Sequence, residues 1–301
     1  STPGRSMSSE PAVADRPRAA SRLRGYLALA RISNSPTVVS DVLAGAALAG
    51  ALWPNVTVVA VAVAMVFFYT AGMYLNDLCD YAIDCRQRPE RPLPSGAVSR
   101  VEAAIAVVAL FGIGAAVLWA AGSAAFRSGL VLIVVIVVYD LWHKTNPLSP
   151  ALMAVTRSLV YVTAGLAVAG TVSLALLLWA GLLFVYVMGL TAIAKAEAGT
   201  SWAGYWPGAL LAAPAVAFVA ARPPVAAWPL LPLFVGWGAY AASFVYRAAG
   251  RNIGRAVGYL IAGIVLVDAL ALAVAGSGVG VVLALAAWAL TLYLQRHIKG
   301  T

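Results

Sequence analysis

Residues 56–84 read VTVVAVAVAMVFFYTAGMYLNDLCDYAID, an apolar run that ends in a cluster of acidic residues. The apolar part, which we place at 56–78, has about the 20 residues that a helix needs to cross a bilayer. Similar runs recur from Ser33 to Leu294. A backbone exposed to lipid must satisfy its own hydrogen bonds, and these continuous Ala, Val and Leu runs lack the alternation of membrane β-strands. The sequence therefore predicts an all-α, polytopic transmembrane bundle.

The composition argues against a soluble globular protein. Of the 301 residues, 62% are hydrophobic and 10% are charged, whereas a soluble domain typically has about 25% charged residues. The net charge is +9, but the basic residues lie in the connections between apolar runs, where membrane topology explains them better than nucleic-acid binding does. We therefore expect the lipid bilayer as a partner, and no nucleic acid.

The distribution of basic residues tests the number of spans, because positive charge accumulates in cytoplasmic loops. With ten spans, 17 of the 20 Lys and Arg residues lie on one side, Arg127 and Arg222 lie on the other, and Arg157 lies inside a span. Nine spans stay possible, since only residues 276–278 separate the last two. The asymmetry predicts that both termini are cytoplasmic. The ten spans are 33–52, 56–78, 101–122, 126–142, 149–170, 172–194, 205–221, 225–246, 256–276 and 278–295. They lie in one predicted transmembrane domain, 31–297, which follows a polar N-terminal tail, 1–30.

The acidic cluster at the end of the second span carries the clearest chemistry. Asn76, Asp80 and Asp84 are four residues apart and Asp77 is three before Asp80, so on a helix all four share one face. Three neighbouring carboxylates repel each other unless a cation neutralises them. Oxygen ligands suit Mg²⁺, which typically binds one or two carboxylates together with substrate phosphates. The cluster therefore predicts a Mg²⁺ site that stabilises a diphosphate leaving group; the alternative is a solvated acidic helix end.

The segment after the acidic cluster makes the pattern specific. Arg86, Arg88 and Arg91 can hold phosphate oxygens, and residues 91–96 read RPLPSG. The sequence N-D-x-x-D-x-x-x-D followed by R-P-x-P-S-G resembles the first aspartate-rich motif of the UbiA superfamily of intramembrane prenyltransferases. The pattern of spans resembles that superfamily over nearly the whole chain.

This resemblance implies a helical bundle around a central cavity with a cytoplasmic cap. It implies ionisation of a prenyl diphosphate with Mg²⁺, followed by transfer of the prenyl group to an aromatic or other lipophilic acceptor. Asp77, Asp80 and Asp84 would then be ligands of Mg²⁺, directly or through water, with Asn76 assisting them.

One part of the family pattern is missing. Family members usually carry a second motif, D-x-x-x-D, after the sixth span, where residues 190–200 here read LTAIAKAEAGT. Two interpretations stay open. Glu197 can complete a second metal site while Lys195 contacts the diphosphate, or the second site is lost and catalysis is altered or absent.

Three short segments resemble the EboC-like branch of the superfamily. They are DVLAG at 41–45, GRAV at 254–257 and LVDA at 266–269.

Two regions near the predicted cytoplasmic ends of spans supply further candidates for substrate contact. Asn34 can line the cavity or form a hydrogen bond between helices. Tyr139 and Lys144 close the fourth span, and Lys144 can pair with Asp140 four residues earlier or contact the diphosphate.

The fifth span contains a deeper candidate. A charge inside a membrane is costly unless it is paired or hydrated, so Arg157 either contacts the diphosphate or pairs with an acid such as Asp41 or Asp268. Tyr161, one turn further, can shield a carbocation with its ring or simply pack.

Three functions are compatible with these residues. The first is prenyl transfer to a separate acceptor, and the second is terpene cyclisation after the same ionisation. The third is a non-catalytic protein that binds or carries prenyl lipids, which the missing D-x-x-x-D motif favours.

Overall fold

The computed structural model describes residues 19–144, 146–195, 206–246 and 252–298, and within these ranges all regular secondary structure is helical. Two short 3₁₀ turns occupy Ile32–Asn34 and Val225–Ala227. The α-helices are α1 (Ala19–Leu29), α2 (Ser35–Leu48), α3 (Val56–Gln87), α4 (Arg100–Ala121), α5 (Ser123–Trp142), α6 (Ser149–Ala169), α7 (Leu174–Lys195), α8 (Trp206–Ala221), α9 (Leu230–Tyr246), α10 (Ile253–Val274) and α11 (Gly278–His297).

The fold confirms the predicted all-α membrane bundle. Within the described residues, eight helical segments are long and apolar enough to cross a membrane. Two of the ten predicted spans correspond to shorter helices, because α2 has 14 residues and α8 has 16. Helix α2 is shorter than the first predicted span, 33–52, because a 3₁₀ turn precedes it and the chain turns after Leu48, with φ +88° at Gly50.

Helix α3 carries the acidic cluster out of the apolar layer. Asn55 caps its N-terminus: the side-chain oxygen of Asn55 accepts hydrogen bonds from the backbone N–H groups of Thr57 and Val58 at 3.0 and 3.2 Å. Its 32 residues correspond to a length of about 48 Å, which exceeds the roughly 30 Å of a bilayer's hydrocarbon core. The last turns, with all four polar residues of the motif, are therefore continuous with a transmembrane helix and extend beyond the apolar layer.

The centre of the bundle is α10. In its most apolar window 72% of the residues are buried, compared with 17% in α11, and it packs against α2, α7, α9 and α11. Helices α2 and α6 approach closely at Gly45, where an added Cβ would lie 2.5 Å from the carbonyl oxygen of Tyr161. Small residues at such positions let membrane helices pack backbone to backbone.

Helix α1 lies within the predicted polar tail and covers the end of α3. Leu29 and Ala30 are buried in a small apolar cluster with Tyr74 and Leu93. The Tyr74 hydroxyl also donates a hydrogen bond to the carbonyl of Tyr26 at 3.1 Å. These contacts hold α1 and the segment after α3 together beside the acidic cluster.

Candidate functional site

Two of the four motif residues share one arginine. The Asp77 Oδ1 atom lies 3.8 Å from Arg91 Nη1, and the Asp84 Oδ2 atom lies 2.7 Å from the same nitrogen. Asp77, Asp84 and Arg91 are all buried, with at most 6% of each residue exposed. Asp77 and Asp84 are two helical turns apart on α3. By contacting both, Arg91 holds the segment after α3 against the motif.

The other two motif residues face the end of α5. Asp80 Oδ1 lies 2.7 Å from Lys144 Nζ, and Asn76 Nδ2 donates to Asp140 Oδ1 at 3.1 Å. The expected alternative of an Asp140–Lys144 pair was therefore wrong. Helix α5 ends at Trp142, so Lys144 lies beyond the helix, and the four-residue spacing does not place it over Asp140.

Arg31 joins the site from outside the motif. Its Nη2 atom lies 3.1 Å from Asp77 Oδ1 and 3.4 Å from Asn76 Oδ1, and its carbonyl accepts a hydrogen bond from Tyr69 Oη at 3.1 Å. Arg31 has a left-handed backbone, with φ 43° and ψ 46°, a conformation that costs free energy for a residue other than glycine. Sequence reasoning used Arg31 only as a topology marker, because nothing in the sequence signals this conformation.

Two carboxylates at the site retain free acceptor atoms, and carboxylate oxygen is a ligand type that Mg²⁺ prefers. The Oδ2 atoms of Asp77 and Asp140 are buried and have no hydrogen-bond partner in the described structure. The Oδ1 atom of each residue is bonded, to Arg31 in Asp77 and to Asn76 in Asp140. No group of three or more acidic, histidine or cysteine side chains forms a closed metal cage among the described residues. Mg²⁺ commonly takes one or two carboxylates and completes its shell with water and substrate phosphate, so this arrangement fits Mg²⁺ that binds together with a diphosphate.

An open cavity of about 1670 Å³ adjoins the motif. Arg31, Asn34, Arg88 and Arg91 line one part of it, and residues of α9, α10 and α11 line the rest. Typical small-molecule pockets measure roughly 300–1,000 Å³, so this cavity has room for more than a diphosphate. The arginines that line the cavity adjoin the acidic cluster, since Arg31 pairs with Asp77 and Arg91 with Asp84.

The structure describes only part of the region in which the second motif is missing. Ala194 lines the cavity, and Lys195 Nζ donates a hydrogen bond to the carbonyl of Asn146 at 3.1 Å. Glu197, the predicted second metal ligand, lies outside the described residues.

A second polar network lies deeper in the bundle. Arg157 Nη1 is 2.7 Å from Asp41 Oδ2, so the structure shows one of the two alternatives for Arg157, its pairing with a buried acid. Tyr161 donates to Asp268 Oδ1 at 2.5 Å, and Ser40 also donates to Asp268. Asp41 and Asp268 are fully buried. Contact of Arg157 or Tyr161 with substrate remains a prediction.

Two other predicted substrate contacts have protein partners in the structure. Asn34 lines the cavity, and its side chain also accepts a hydrogen bond from Gln295 Nε2 of α11 at 3.0 Å. The two interpretations, a cavity-lining residue and a hydrogen bond to another helix, therefore both apply to Asn34. The Tyr139 ring stacks on His143, with centroids 5.2 Å apart. His143 Nε2 lies 3.8 Å from Asp80, which places this ring pair beside the motif.

Comparison with known proteins identifies the family. The model of the UbiA prenyltransferase family matches residues 38–257. The chain belongs to the UbiA prenyltransferase family. The match starts in α2, includes the acidic cluster with Arg88 and Arg91, and ends in α10, so the site described above lies mostly inside the matched region.

Several curated relatives within the family are named digeranylgeranylglyceryl phosphate synthase. The one from Natronomonas pharaonis is 31% identical over 160 residues, which are 53% of this chain and 58% of that protein. The one from Ignicoccus hospitalis is 43% identical over 97 residues, which are 32% of this chain and 31% of that protein. The aligned part thus covers somewhat more than half of the Natronomonas protein and about one third of the Ignicoccus protein.

Solved structures of UbiA homologues share the fold. A homologue from Archaeoglobus fulgidus bound to GPP and Mg²⁺ has a TM-score of 0.61 and 16% identity, over 88% of this chain and 99% of that chain. The homologue from the same organism bound to DMAPP and Mg²⁺ has a TM-score of 0.59 and 18% identity, over 83% and 99%. At these identities the likeness supports the fold of this UbiA family member.

Proposed function

We propose that this protein ionises a prenyl diphosphate at the cytoplasmic end of α3 and transfers the prenyl group to a lipophilic acceptor. The observation that carries the proposal is the buried Asp77, whose Oδ2 atom is free while its Oδ1 atom faces Arg31 and Arg91 at the cavity. One carboxylate there can bind a metal ion while its arginine neighbours bind phosphate. The cytoplasmic orientation is supported by the 17-to-2 distribution of basic residues around the spans.

The proposed donor site uses the motif and its ion-pair partners. Asp77, Asp80, Asp84 and the predicted Glu197 would hold Mg²⁺, which when bound neutralises charge on the diphosphate as the C–O bond breaks. Such metal binding is supported by the homologues described with DMAPP or GPP and Mg²⁺.

The cations of the site have a second task in this proposal. Arg91 and Lys144, which pair with Asp84 and Asp80 in this structure, exchange part of that pairing for phosphate oxygens. Arg88 adds a further guanidinium at the cavity. Fixed cations stabilise the departing pyrophosphate more strongly in a site with little water than in bulk solvent.

The acceptor is best assigned to lipids. The relatives' name describes a glyceryl phosphate that carries two geranylgeranyl groups, and removal of one such group leaves a lipid that is itself a prenyl acceptor. Neither the site nor the relatives specifically favour an aromatic acceptor. The acceptor proposed here is therefore a lipophilic molecule with a polar headgroup.

Product analysis separates this proposal from its alternatives. Purified protein in nanodiscs is incubated with Mg²⁺ and geranyl, farnesyl or geranylgeranyl diphosphate, with or without glyceryl-phosphate lipids and phenols, and products are identified by mass spectrometry. We expect a product with the mass of the acceptor plus one prenyl group, formed only with acceptor. Cyclised hydrocarbon without acceptor would instead establish a terpene cyclase. Donor binding without any product would establish a carrier.

Arg91→Gln should weaken donor binding. The change removes a guanidinium that lines the cavity and bridges Asp77 and Asp84. Loss of one charge-assisted hydrogen bond costs about 1.5–3 kcal/mol, which corresponds to a roughly 10- to 100-fold rise in the Kd for prenyl diphosphate. Arg24→Gln is the control, because Arg24 is an exposed arginine on α1 that does not line the cavity. Equal donor affinity in the wild type and Arg91→Gln would contradict this assignment.

A further inference from the structure

The cavity has a second basic wall, away from the acidic motif. Arg255 lies on the first turn of α10 and Arg296 on the last turn of α11, and both line the cavity. Trp237, Tyr240 and Tyr259 line the same part. We call these five residues the basic-aromatic wall. It comes from the C-terminal helices, whereas the arginines near the motif come from the segments around α2 and α3.

The arginines of the basic-aromatic wall have no acidic partner among the described residues. Arg31 and Arg91 each lie within 4 Å of a carboxylate of the motif. Arg255, by contrast, donates from Nε to the Tyr259 hydroxyl at 3.3 Å, and its guanidinium lies 5.2 Å from the centre of the Phe244 ring. Both arginines are exposed to this open cavity. Two cations without a nearby acid attract an anion, to which their remaining N–H groups can donate.

The aromatic part of the wall offers an apolar surface next to these cations. The Trp237 and Tyr259 rings are 5.3 Å apart and edge to face, and the Tyr240 and Tyr259 rings are also 5.3 Å apart. Gly236 and Gly258 line the same space, and an added Cβ at either position would meet no atom within 4 Å. The wall therefore combines a site for an anionic group with room for a hydrocarbon chain.

We propose that the basic-aromatic wall binds the acceptor lipid by an anionic, phosphate-type headgroup held between Arg255 and Arg296. This assignment rests on the proposed prenyl transfer and adds the acceptor's chemical class and its position in the cavity. The donor diphosphate occupies the motif side, where carboxylates recruit a metal ion. The acceptor phosphate needs no metal and occupies the side where the arginines are unneutralised. One cavity thereby holds two anionic lipids, each on its own set of arginines.

A binding experiment with a matched pair of lipids tests the wall. The probes are oleoyl glyceryl phosphate and oleoyl glycerol, which have the same chain and differ in the phosphate. Binding to the full chain is measured in phosphatidylcholine nanodiscs. The variants are Arg255→Gln and Arg296→Gln, and the control is Arg24→Gln, an exposed arginine on α1 that does not line the cavity. Inorganic phosphate is added as a competitor, and geranylgeranyl diphosphate with Mg²⁺ is bound separately.

We expect the wild type to prefer oleoyl glyceryl phosphate over oleoyl glycerol by about tenfold or more, as one charge-assisted hydrogen bond implies. Arg255→Gln and Arg296→Gln should each reduce that preference and leave geranylgeranyl diphosphate binding within about twofold of the wild type. Arg24→Gln should match the wild type. Inorganic phosphate should compete weakly, because it lacks the chain that contacts the aromatic rings; equally strong competition would mean a site for free phosphate and would overturn the proposal.

A variant that changes volume instead of charge supplies an independent test. Gly258→Leu should block binding of oleoyl glyceryl phosphate, because the larger side chain fills the cavity. The helix itself should persist, since leucine has a higher helix propensity than glycine. Weakening of donor binding by Arg255→Gln or Arg296→Gln, to the same degree as phospholipid binding, would overturn the proposal. So would an unchanged lipid preference in both variants. Absence of prenyl transfer in the wild type would refute the proposed function, and the binding data would still decide whether the wall is an anionic-lipid site.

Discussion

The Asp77→Asn variant is expected to release pyrophosphate from a prenyl diphosphate about 10² to 10³ times more slowly than the wild type. This factor is typical for loss of one group that stabilises charge in a transition state. Asp77 is 2% exposed, and its Oδ2 atom is free of hydrogen bonds in the described structure. Asparagine has nearly the same shape, so the change removes the charge and leaves the packing. The measurement is pyrophosphate release by purified protein at saturating Mg²⁺ and donor.

Two further variants make this result interpretable. Glu90→Gln removes an exposed acid just after α3 and should keep the wild-type rate, which shows that loss of any nearby negative charge is not sufficient. Asp80→Asn removes the partner of Lys144 and should also slow release. A fully active Asp77→Asn or Asp80→Ala protein would refute the assignment of these carboxylates to ionisation.

The Arg157→Leu variant is expected to lose about 3–5 kcal/mol of stability, the typical cost of removing one partner from a buried ion pair. Asp41 is fully buried and its Oδ2 atom lies 2.7 Å from Arg157 Nη1. Without the guanidinium, a carboxylate remains in the interior of the bundle with no cation to neutralise it. The measurement is unfolding in detergent on heating or on addition of denaturant, with the loss of the helical circular dichroism signal as the readout.

A double variant distinguishes this electrostatic cost from poor packing. Replacing both partners, as Asp41→Leu with Arg157→Leu, should recover much of the lost stability, because buried ion pairs can often be exchanged for apolar residues at little cost. Arg127→Leu, at an exposed position on α5, should unfold like the wild type. If Arg157→Leu were as stable as the wild type, Arg157 would not be held by its pairing with Asp41 and its predicted contact with substrate would gain support.

The helical architecture and the acidic motif were predictable because each has a local cause. A run of apolar residues as long as a bilayer is thick can satisfy its backbone only as a helix. Asp77, Asp80 and Asp84 follow such a run at helical spacing, so α3 could be extended through the motif from sequence alone. The structure adds that α3 is one helix of 32 residues.

The partners of the motif were not predictable, because they depend on how distant segments meet. Arg31, which has a left-handed backbone, contacts Asp77 from the segment before α2, and Asp140 reaches Asn76 because α5 packs beside α3. The basic-aromatic wall likewise requires α9, α10 and α11 to enclose one cavity with the arginines near the motif. Spacing along the chain contains no information on these contacts.

The close packing of α2 against α6 explains the position of the deeper polar network. Gly45 lies one turn after Asp41, and its close approach to the Tyr161 backbone brings α2 and α6 together. Arg157 lies one turn before Tyr161 on α6, so the same approach aligns Arg157 with Asp41. The sequence left two alternatives for Arg157, contact with the diphosphate or pairing with an acid, because an unpaired charge inside a membrane is costly. Only the structure selects Asp41 rather than Asp268.

The most direct test of the central claim is pyrophosphate release by the wild-type protein in nanodiscs, with geranylgeranyl diphosphate as the donor, in Mg²⁺ or in EDTA. Ionisation of a prenyl diphosphate at the α3 motif predicts release in Mg²⁺ that EDTA abolishes and that a glyceryl-phosphate lipid acceptor accelerates. Tight donor binding without metal-dependent release, for this donor and for geranyl and farnesyl diphosphates, would contradict the claim and establish a protein that binds prenyl diphosphates without reacting with them.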